Sequence, residues 1–233
     1  MAEIEREEQV KEEKLIVGKV RTLIEGDRII SFSDAVFAFA ATLLVLKLDL
    51  PAIPPDLMQK QFVSELIKLI PSYTANFVSF LIIAYYWWLH HKLFILIKKY
   101  DGVIVWMNIM VLIFVSFLPF PIDLFGEYPR IVGVDVFYTL SLSIVGIMLL
   151  ALWVYASYKH RLIGRSMSKR IVLYHTLYMA AAPFVFLVSI PLIYYDQTVA
   201  KVSWLMVIVI ISILDSIFRE DIEKYIAYNP EPE

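Results

Sequence analysis

Residues 28–46 have the sequence RIISFSDAVFAFAATLLVL. The stretch begins with charged and small polar residues and then stays apolar for roughly the ~20 residues that a helix needs to cross a bilayer. Asp34 lies in its first half. Because a carboxylate inside a membrane helix is costly to bury, it marks a functional or assembly site by default. The stretch therefore predicts a transmembrane helix with a special polar group near one end.

The composition extends this prediction to the whole chain. Of the 233 residues, 60% are hydrophobic and 19% are charged, whereas a typical globular chain is about 45–50% apolar. We therefore predict an integral membrane protein with one compact domain. The net charge of −2 argues against nucleic acid as a partner. The absence of cysteine excludes disulfides, iron–sulfur clusters and thiol chemistry, and we expect no cofactor.

The hydropathy pattern predicts an all-α, polytopic membrane protein with six transmembrane helices, each near the length that a crossing needs. Residues 1–27 are predicted to form a cytoplasmic lead-in helix, residues 28–219 the six-span domain and residues 220–233 a cytoplasmic tail. The predicted spans are residues 29–49, 66–89 (continuing as helix toward 97), 103–125, 134–157, 171–194 and 199–218.

Basic residues in the links predict the orientation. Lys92, Lys98 and Lys99 follow the second span, and five more basic residues lie between the fourth and fifth spans. The links on the opposite side carry few basic residues. Since basic links stay in the cytoplasm, both termini are predicted to be cytoplasmic.

The first span has two distinct faces when its residues are placed on a helix of 3.6 residues per turn. Small residues allow neighbouring helices to approach closely, so this helix is expected at the centre of an assembly, where its bulky face could look at a central axis. The small face is Ser31, Asp34, Ala38, Ala41 and Val45, and the bulky face is Phe32, Ala35, Phe39, Thr42, Leu43 and Leu46.

A polar cluster is predicted at the cytoplasmic end of the first three spans. Asp34 lies about two turns inside the start of its helix and must find a partner on another helix. The candidate donors are a histidine ring N–H, the Trp87 indole N–H and the Asn108 amide. The residues expected to converge on this layer are Arg28, Ser33, Asp34, Trp87, His90, His91 and Asn108.

Several interpretations of this cluster compete. We favour a structural clamp that locks the first span to the second and third, because most intramembrane polar residues pair with one another. A proton-sensing or proton-relay site is the second interpretation, since histidine titrates near neutrality. A metal site has little support, because adjacent histidines on a helix point in different directions and no further ligand spacing is present. A hydrolase is disfavoured by the lack of a nucleophile elbow and an oxyanion-hole signal.

The bulky face of the first span also has two interpretations. If it lines a pore, Phe39, Leu43 and Leu46 form successive apolar rings that expel water, with Thr42 adding a ring of hydroxyls. Alternatively, these are ordinary packing or lipid-facing residues, because nearly every membrane helix has such a stripe. The chain lacks a TVGYG filter and a run of S4-like arginines, so it is not a familiar voltage-gated potassium channel.

These motifs resemble those of the transmembrane-protein-175 potassium channels. Arg28-x-x-x-Phe32-Ser33-Asp34, followed by an apolar helix with Thr42, is similar to the signature that opens the family's first span. The segment Trp87-Trp88-Leu89-His90-His91 is similar to the family's Trp-x-x-His-His. Asn108 and the segment 118–121, Leu-Pro-Phe-Pro, resemble parts of its third span.

The resemblance implies a single-repeat, prokaryotic member that assembles as a homotetramer in the cell (inner) membrane, with the first span lining a pore for potassium and other monovalent cations. It implies a constriction at Phe39, where the family usually has Ile or Leu, and at Leu43 and Leu46, with Thr42 beside it. It implies no enzyme activity. The residues that would position the first span are Arg28, Ser33, Asp34, Trp87 and one or both of His90 and His91.

The alternative function is a proton-coupled secondary transporter that uses Asp34, His90 and His91 as carrier groups, or a proton-permeable pore. The scarcity of glycine, 7 residues in the chain, disfavours the broken helices on which many transporters rely.

Overall fold

The computed structural model describes residues 26–46, 58–164 and 167–228, and these ranges are almost entirely helical. They hold no β-strand, only an isolated bridge between Ile97 and Ile163. A short 3₁₀ helix, Tyr158–His160, follows α5. The α-helices are α1 (Gly26–Leu46), α2 (Met58–Leu96), α3 (Gly102–Phe117), α4 (Pro119–Glu127), α5 (Val132–Ser157), α6 (Lys169–Tyr195), α7 (Gln197–Ser203), α8 (Met206–Ile217) and α9 (Arg219–Tyr228).

The prediction of six membrane-spanning helices is confirmed. Within the described ranges, six helical segments are long and apolar enough to cross a bilayer. The predicted lead-in, up to residue 25, and the predicted end of the first span, residues 47–49, lie outside the described residues. The six segments are Gly26–Leu46, Gln61–Leu96, Gly102–Glu127, Val132–His160, Lys169–Tyr195 and Gln197–Ile217.

Side-chain caps fix where several helices begin. The Asp101 carboxylate accepts a hydrogen bond from the Ile104 N–H at 2.9 Å at the start of α3. The Asp196 carboxylate accepts from two backbone N–H groups, those of Thr198 at 2.7 Å and Val199 at 3.0 Å, at the start of α7. Such caps satisfy N–H groups that have no partner inside the helix.

Two of the spans are each built from two helices. The third span is divided at Leu118, because Pro119 opens α4 and has no N–H to continue the hydrogen bonds of α3. The sixth span is divided between α7 and α8 at Trp204 and Leu205.

The core of the subunit lies around α5, which packs extensively against α6 and also against α3 and α4. Trp153 and Tyr138 of α5 are completely buried. The two helices approach most closely at Gly146, where an added Cβ would lie 2.9 Å from Cδ of Pro183. Phe37, Ala40 and Leu44 bring one face of α1 into the same apolar core, and hydrogen bonds join α1 to α2 and α3.

Candidate functional site

One face of α1 packs against its own subunit and the other face is open. Phe37, Ala40 and Leu44 are at most 2% exposed. On the other side, Phe39 is 62% exposed and Leu46 is 80% exposed. In a membrane protein, a helix with an apolar face that its own subunit does not cover can line a pore, contact another chain or face lipid.

The predicted bulky face coincides with this open face over most of its length. Phe32, Ala35, Phe39, Thr42 and Leu46 are all exposed, whereas Leu43 is only partly exposed. The predicted small face is divided. Its members Ser31, Ala38 and Val45 are exposed, Asp34 is half-buried and Ala41 is buried against the subunit.

The Asp34 carboxylate finds its partner on α2. The Trp87 indole N–H donates a hydrogen bond of 2.8 Å to Oδ1 of Asp34. This contact joins α1 to α2 near the predicted cytoplasmic side. The Trp87 indole N–H is one of the three candidate donors predicted from the sequence. The indole has only one donor, so Trp87 is committed to this carboxylate.

A second link runs from α1 through α3 to α2. The Asn108 amide Nδ2 donates to Oγ of Ser33 at 2.9 Å, and the Ser33 hydroxyl donates to the Ile29 carbonyl at 2.8 Å. Oδ1 of Asn108 lies 2.7 Å from Nε2 of His90. Because Oδ1 can only accept, His90 carries its proton on Nε2 in this arrangement. The four groups form one directed chain of hydrogen bonds that ends at a helix carbonyl.

His90 is fully buried in apolar surroundings, although it belongs to the chain of hydrogen bonds. Its ring stacks on Phe94 with centroids 4.4 Å apart and lies 5.4 Å from the ring of Phe37. Its Nδ1 atom has no hydrogen-bond partner among the described residues. Deleting the bond to Asn108 would therefore leave a buried polar ring with neither nitrogen paired.

His91 and Arg28 lie apart from these hydrogen bonds. His91 stacks on Trp87, with ring centroids 5.8 Å apart, and so supports the indole that bonds Asp34. Arg28 is exposed and lines a pocket with Tyr100, Asp101 and others at the inner end of α1 and α3. The structure thus joins five of the seven predicted cluster residues by hydrogen bonds: Ser33, Asp34, Trp87, His90 and Asn108.

The hydrogen bonds of the cluster join α1 to α2 and α3. No group of three or more His, Asp or Glu side chains within residues 26–46, 58–164 and 167–228 is placed to hold a metal ion. Among the polar groups that join α1 to its neighbours, the Asp34 carboxylate and the two ring nitrogens of His90 are the ones able to accept or release a proton. The geometry therefore supports a role in positioning α1. A proton-dependent role would have to use the Asp34 carboxylate or the His90 ring.

Sequence reasoning missed other polar contacts between helices, including three that involve an aspartate. Tyr174 donates to Oδ1 of Asp215 at 2.7 Å, and Lys201 lies 3.2 Å from Oδ2 of the buried Asp135. Both acids lie within predicted spans, which is the same signal that singled out Asp34. The third contact joins the Tyr155 hydroxyl to Oδ2 of Asp101 at 2.7 Å.

Asp101 lies in the link before α3, and its environment stabilises the charged form. Burial alone would raise the pKa of its carboxyl. The hydrogen bonds from the Ile104 N–H and the Tyr155 hydroxyl, with the Arg161 guanidinium nearby, outweigh burial and lower the pKa below its ordinary value. Asp101 is therefore a charged anchor between α3 and α5.

Comparison with known proteins bears on what this arrangement does. Residues 28–119 match the family model described as the endosomal/lysosomal potassium channel TMEM175. A potassium channel of Chamaesiphon minutus is 37% identical over 145 residues, which cover 60% of this chain and 70% of that protein. A potassium channel of Streptomyces collinus is 36% identical over 107 residues, covering 46% of this chain and 50% of that protein.

Vertebrate proteins are also similar, over a smaller share of their length. The endosomal/lysosomal proton channel TMEM175 of Danio rerio is 36% identical over 112 residues, which cover 46% of this chain and 22% of that protein. Among solved structures, the potassium-selective TMEM175 homolog of Chamaesiphon minutus superposes with a TM-score of 0.69 at 29% identity. The match covers 82% of this chain and 98% of that one.

Proposed function

This chain belongs to the TMEM175 family of ion channels, and from that we propose that it is a subunit of a potassium-permeable cation channel whose pore is lined by α1. The family consists of channels and not of enzymes. The observation that carries the proposal is the open apolar face of α1, on which Phe39 is 62% and Leu46 80% exposed, while hydrogen bonds hold the opposite side. Such a helix is positioned firmly but presents its apolar side to something outside its own subunit.

In the proposed pore, Phe39, Leu43 and Leu46 form the constriction. A ring of apolar side chains offers no ligands to an ion, so passage depends on how readily the ion loses its water. Potassium loses water more readily than sodium, which favours potassium. The Thr42 hydroxyl donates its proton to the Phe39 carbonyl at 2.9 Å. Beside the apolar rings it can therefore offer its oxygen lone pairs to an ion or to water.

The clamp at the inner end would set the position of these rings. Ser33 and Asp34 lie about three and a half turns before Leu46 on the same helix, and they bond α3 and α2 respectively. Opening by an iris-like movement of α1 would then pivot at this clamp. Phe32 and Arg28 are the other two residues of the Arg-x-x-x-Phe-Ser-Asp signature. Both are exposed on the side of α1 that faces away from the subunit core.

A homotetramer around α1 is part of the same proposal. The small, exposed Ser31, Ala35 and Ala38 would allow copies of α1 to approach one another near a central axis. Potassium and other monovalent cations are the proposed permeant ions, and the lipid bilayer is the surroundings of the outer helices. The basic links after α2 and α5 support cytoplasmic termini, and the bacterial relatives support a place in a prokaryotic cell membrane.

The proposed domain boundaries fall within two residues of the first residues of α1 and α9. The six-span channel domain is residues 28–219, preceded by the lead-in of residues 1–27 and followed by the tail from residue 220. The described part of that tail belongs to α9, where Asp221 lies 3.0 Å from Nε of Arg170 on α6. The tail is thus attached to the channel domain by at least one ion pair.

Proton permeation or proton-coupled transport is the second candidate function. It is favoured by the vertebrate relatives that are named proton channels and by the buried His90, whose Nδ1 has no partner among the described residues. An imidazole with one free nitrogen can accept a proton. Asp34 and His91 are the other titratable groups close to Trp87.

Ion flux from liposomes that hold the purified protein separates these functions. A potassium gradient is imposed, and a pH-sensitive dye reports the compensating proton movement through an added protonophore. We expect flux that follows the potassium gradient and needs the protonophore. Dye signals without protonophore would favour a proton pore, and potassium flux that appears only with an imposed proton gradient would favour coupled transport and contradict the channel.

A further inference from the structure

The links after α2 and after α5 are tied together through their backbones. The Leu162 carbonyl accepts hydrogen bonds from two N–H groups, that of Lys98 at 2.8 Å and that of Lys99 at 3.2 Å. Next to them, Ile97 and Ile163 form an antiparallel bridge. Two segments that are far apart in sequence are thus held as one surface at the end of the helices.

The second of these links contains an unusual turn. Lys159 and His160 both have positive φ, 51° and 54°, a conformation that is energetically unfavourable for residues other than glycine. The turn directs the Leu162 N–H to the Ala156 carbonyl at 2.9 Å. It also places Lys159 three residues before Leu162, whose carbonyl accepts the hydrogen bonds from the Lys98 and Lys99 N–H groups. Strained backbone that the surrounding structure maintains is a reason to look for a function there.

The charged groups on this surface are predominantly basic. Lys98, Lys99 and Lys159 are exposed, and none of them forms an ion pair with another described residue. Asp101 is the acid of the surface, and its Oδ2 already has Tyr155 at 2.7 Å and Nε of Arg161 at 3.5 Å. The three lysine ammonium groups therefore keep their charge available for an anion.

An apolar surface adjoins the lysines. Tyr158 is 63% exposed and Val154, one turn before it, is 46% exposed; Ile95, just before Lys98, is 53% exposed. The ammonium of Lys159 lies 5.3 Å from the Tyr158 ring. Aromatic rings at this level of a membrane protein lie among lipid headgroups, so the lysines emerge where phosphates of the bilayer are found.

From these four features we propose that the joined links form a binding site for the headgroup of an anionic phospholipid. Lys98, Lys99 and Lys159 contact the phosphate, Tyr158 lies against the glycerol region and the acyl chains run along Val154 and Ile95. Clusters of basic residues next to a membrane helix attract anionic lipids in this way. The site would secure the junction of α2 with α5, and it does not depend on which ion the pore conducts.

Photo-crosslinking in nanodiscs tests the proposal. The full chain is placed in phosphatidylcholine with a small fraction of photoactivatable phosphatidylglycerol or photoactivatable phosphatidylcholine, and chymotryptic peptides are analysed for labelled lipid. We expect peptides from residues 92–102 and 153–164 to carry more phosphatidylglycerol than phosphatidylcholine. Each lysine that contacts the headgroup should raise this ratio about fivefold. The double variant Lys99→Gln/Lys159→Gln should lose most of this excess and retain only the part contributed by Lys98, and Lys99→Arg/Lys159→Arg should keep it.

The matched control removes the same charge elsewhere on the predicted cytoplasmic side. Arg219→Gln/Lys224→Gln neutralises two residues of α9 that form only exposed ion pairs, and it should keep the full excess. Equal labelling by both lipids, an unchanged excess in the glutamine variant or the same loss in the control would each overturn the proposal. So would suppression of the labelling by inorganic phosphate, which would show that the surface takes a free anion.

Discussion

The Trp87 indole N–H lies 2.8 Å from Oδ1 of Asp34, so the acid of the signature in α1 is held by a single side chain of α2. Both groups remain partly exposed, with Trp87 at 38%. The indole in turn stacks on His91. The orientation of this ring therefore contributes, together with the bond between Asn108 and Ser33, to the position of α1.

Replacement of Trp87 by Phe should weaken the attachment of α1. Phenylalanine keeps one aromatic ring but removes the indole N–H donor and the second ring, and a lost side-chain hydrogen bond costs about 1 kcal/mol. We expect a lower temperature of thermal unfolding in detergent and a smaller yield of assembled protein. Trp88→Phe is the control on the neighbouring ring, which packs on Lys92 and Tyr178. Equal losses in both variants would contradict a specific role for the Trp87–Asp34 bond.

Replacement of Asn108 by Leu should be more damaging. It removes the hydrogen-bond partner of the buried His90 ring, whereas Ser33 keeps its bond to the Ile29 carbonyl. A buried polar group left unpaired costs about 1–3 kcal/mol. Thermal unfolding in detergent measures the loss. The control is Ser116→Ala on the same helix, where the hydroxyl only bonds the Ile113 carbonyl and is exposed. A stability of Asn108→Leu equal to that of Ser116→Ala would contradict the directed chain.

The choice between these partners could not be made from sequence. Spacing along a helix predicts which residues share a layer, and it brought Asp34, Trp87, His90 and Asn108 to one depth. Which donor faces Asp34 depends on how α2 and α3 are rotated about their axes, and that rotation is set by packing along their whole length. The structure assigns Trp87 to Asp34, and it places Asn108 between Ser33 and His90.

The six spans were predictable because the bilayer imposes a length and a hydropathy on each crossing. The contacts of the links were not, since loops at the membrane surface have no periodicity to interpret. The bond between Tyr155 and Asp101 and the backbone pairing at Leu162 join segments about 55–65 residues apart. Asp135 and Asp215 were overlooked although each is an acid inside a predicted span, which is an observable signal.

Replacement of Gly146 by Val should force α5 and α6 apart. An added Cβ would lie 2.9–3.1 Å from three ring carbons of Pro183, and a proline ring cannot rotate away. Overpacking of this kind costs about 1–3 kcal/mol, so we expect a lower unfolding temperature. Gly133→Ala on the same helix is the control, because nothing lies within 4 Å of its added Cβ. Similar unfolding temperatures for the two variants would show that the helices separate without cost.

Replacement of Asp101 by Asn should change how stability depends on pH. Burial raises the pKa of the Asp101 carboxyl, but the hydrogen bonds that it accepts and the nearby Arg161 guanidinium outweigh this effect. In the folded protein its pKa therefore lies below the ordinary value of 3.8. Its charge therefore stabilises the fold above that value, and the contribution is lost as the pH falls further through the lowered pKa. Between about pH 5 and pH 2 the unfolding temperature of Asp101→Asn should fall less steeply than that of the wild type.

A matched variant at another carboxylate controls this comparison. Glu223 is exposed on α9 and forms an i,i+4 pair with Arg219, so Glu223→Gln should retain the wild-type slope because an exposed pair contributes little. Parallel curves for the wild type and Asp101→Asn would contradict the charged anchor between α3 and α5.

Replacement of Leu46 by Asn tests whether the open face of α1 lines the pore. In the proposed homotetramer, four amide groups would retain water and offer ligands to an ion at a position where the wild type has apolar side chains. The cost of passage would therefore fall for both potassium and sodium. We expect potassium flux from liposomes to rise severalfold and the preference for potassium over sodium to decrease. Leu205→Asn is the control, since Leu205 is also exposed, at 61%, but lies between α7 and α8. Unchanged flux and preference in Leu46→Asn, or equal changes in both variants, would place the pore on another face.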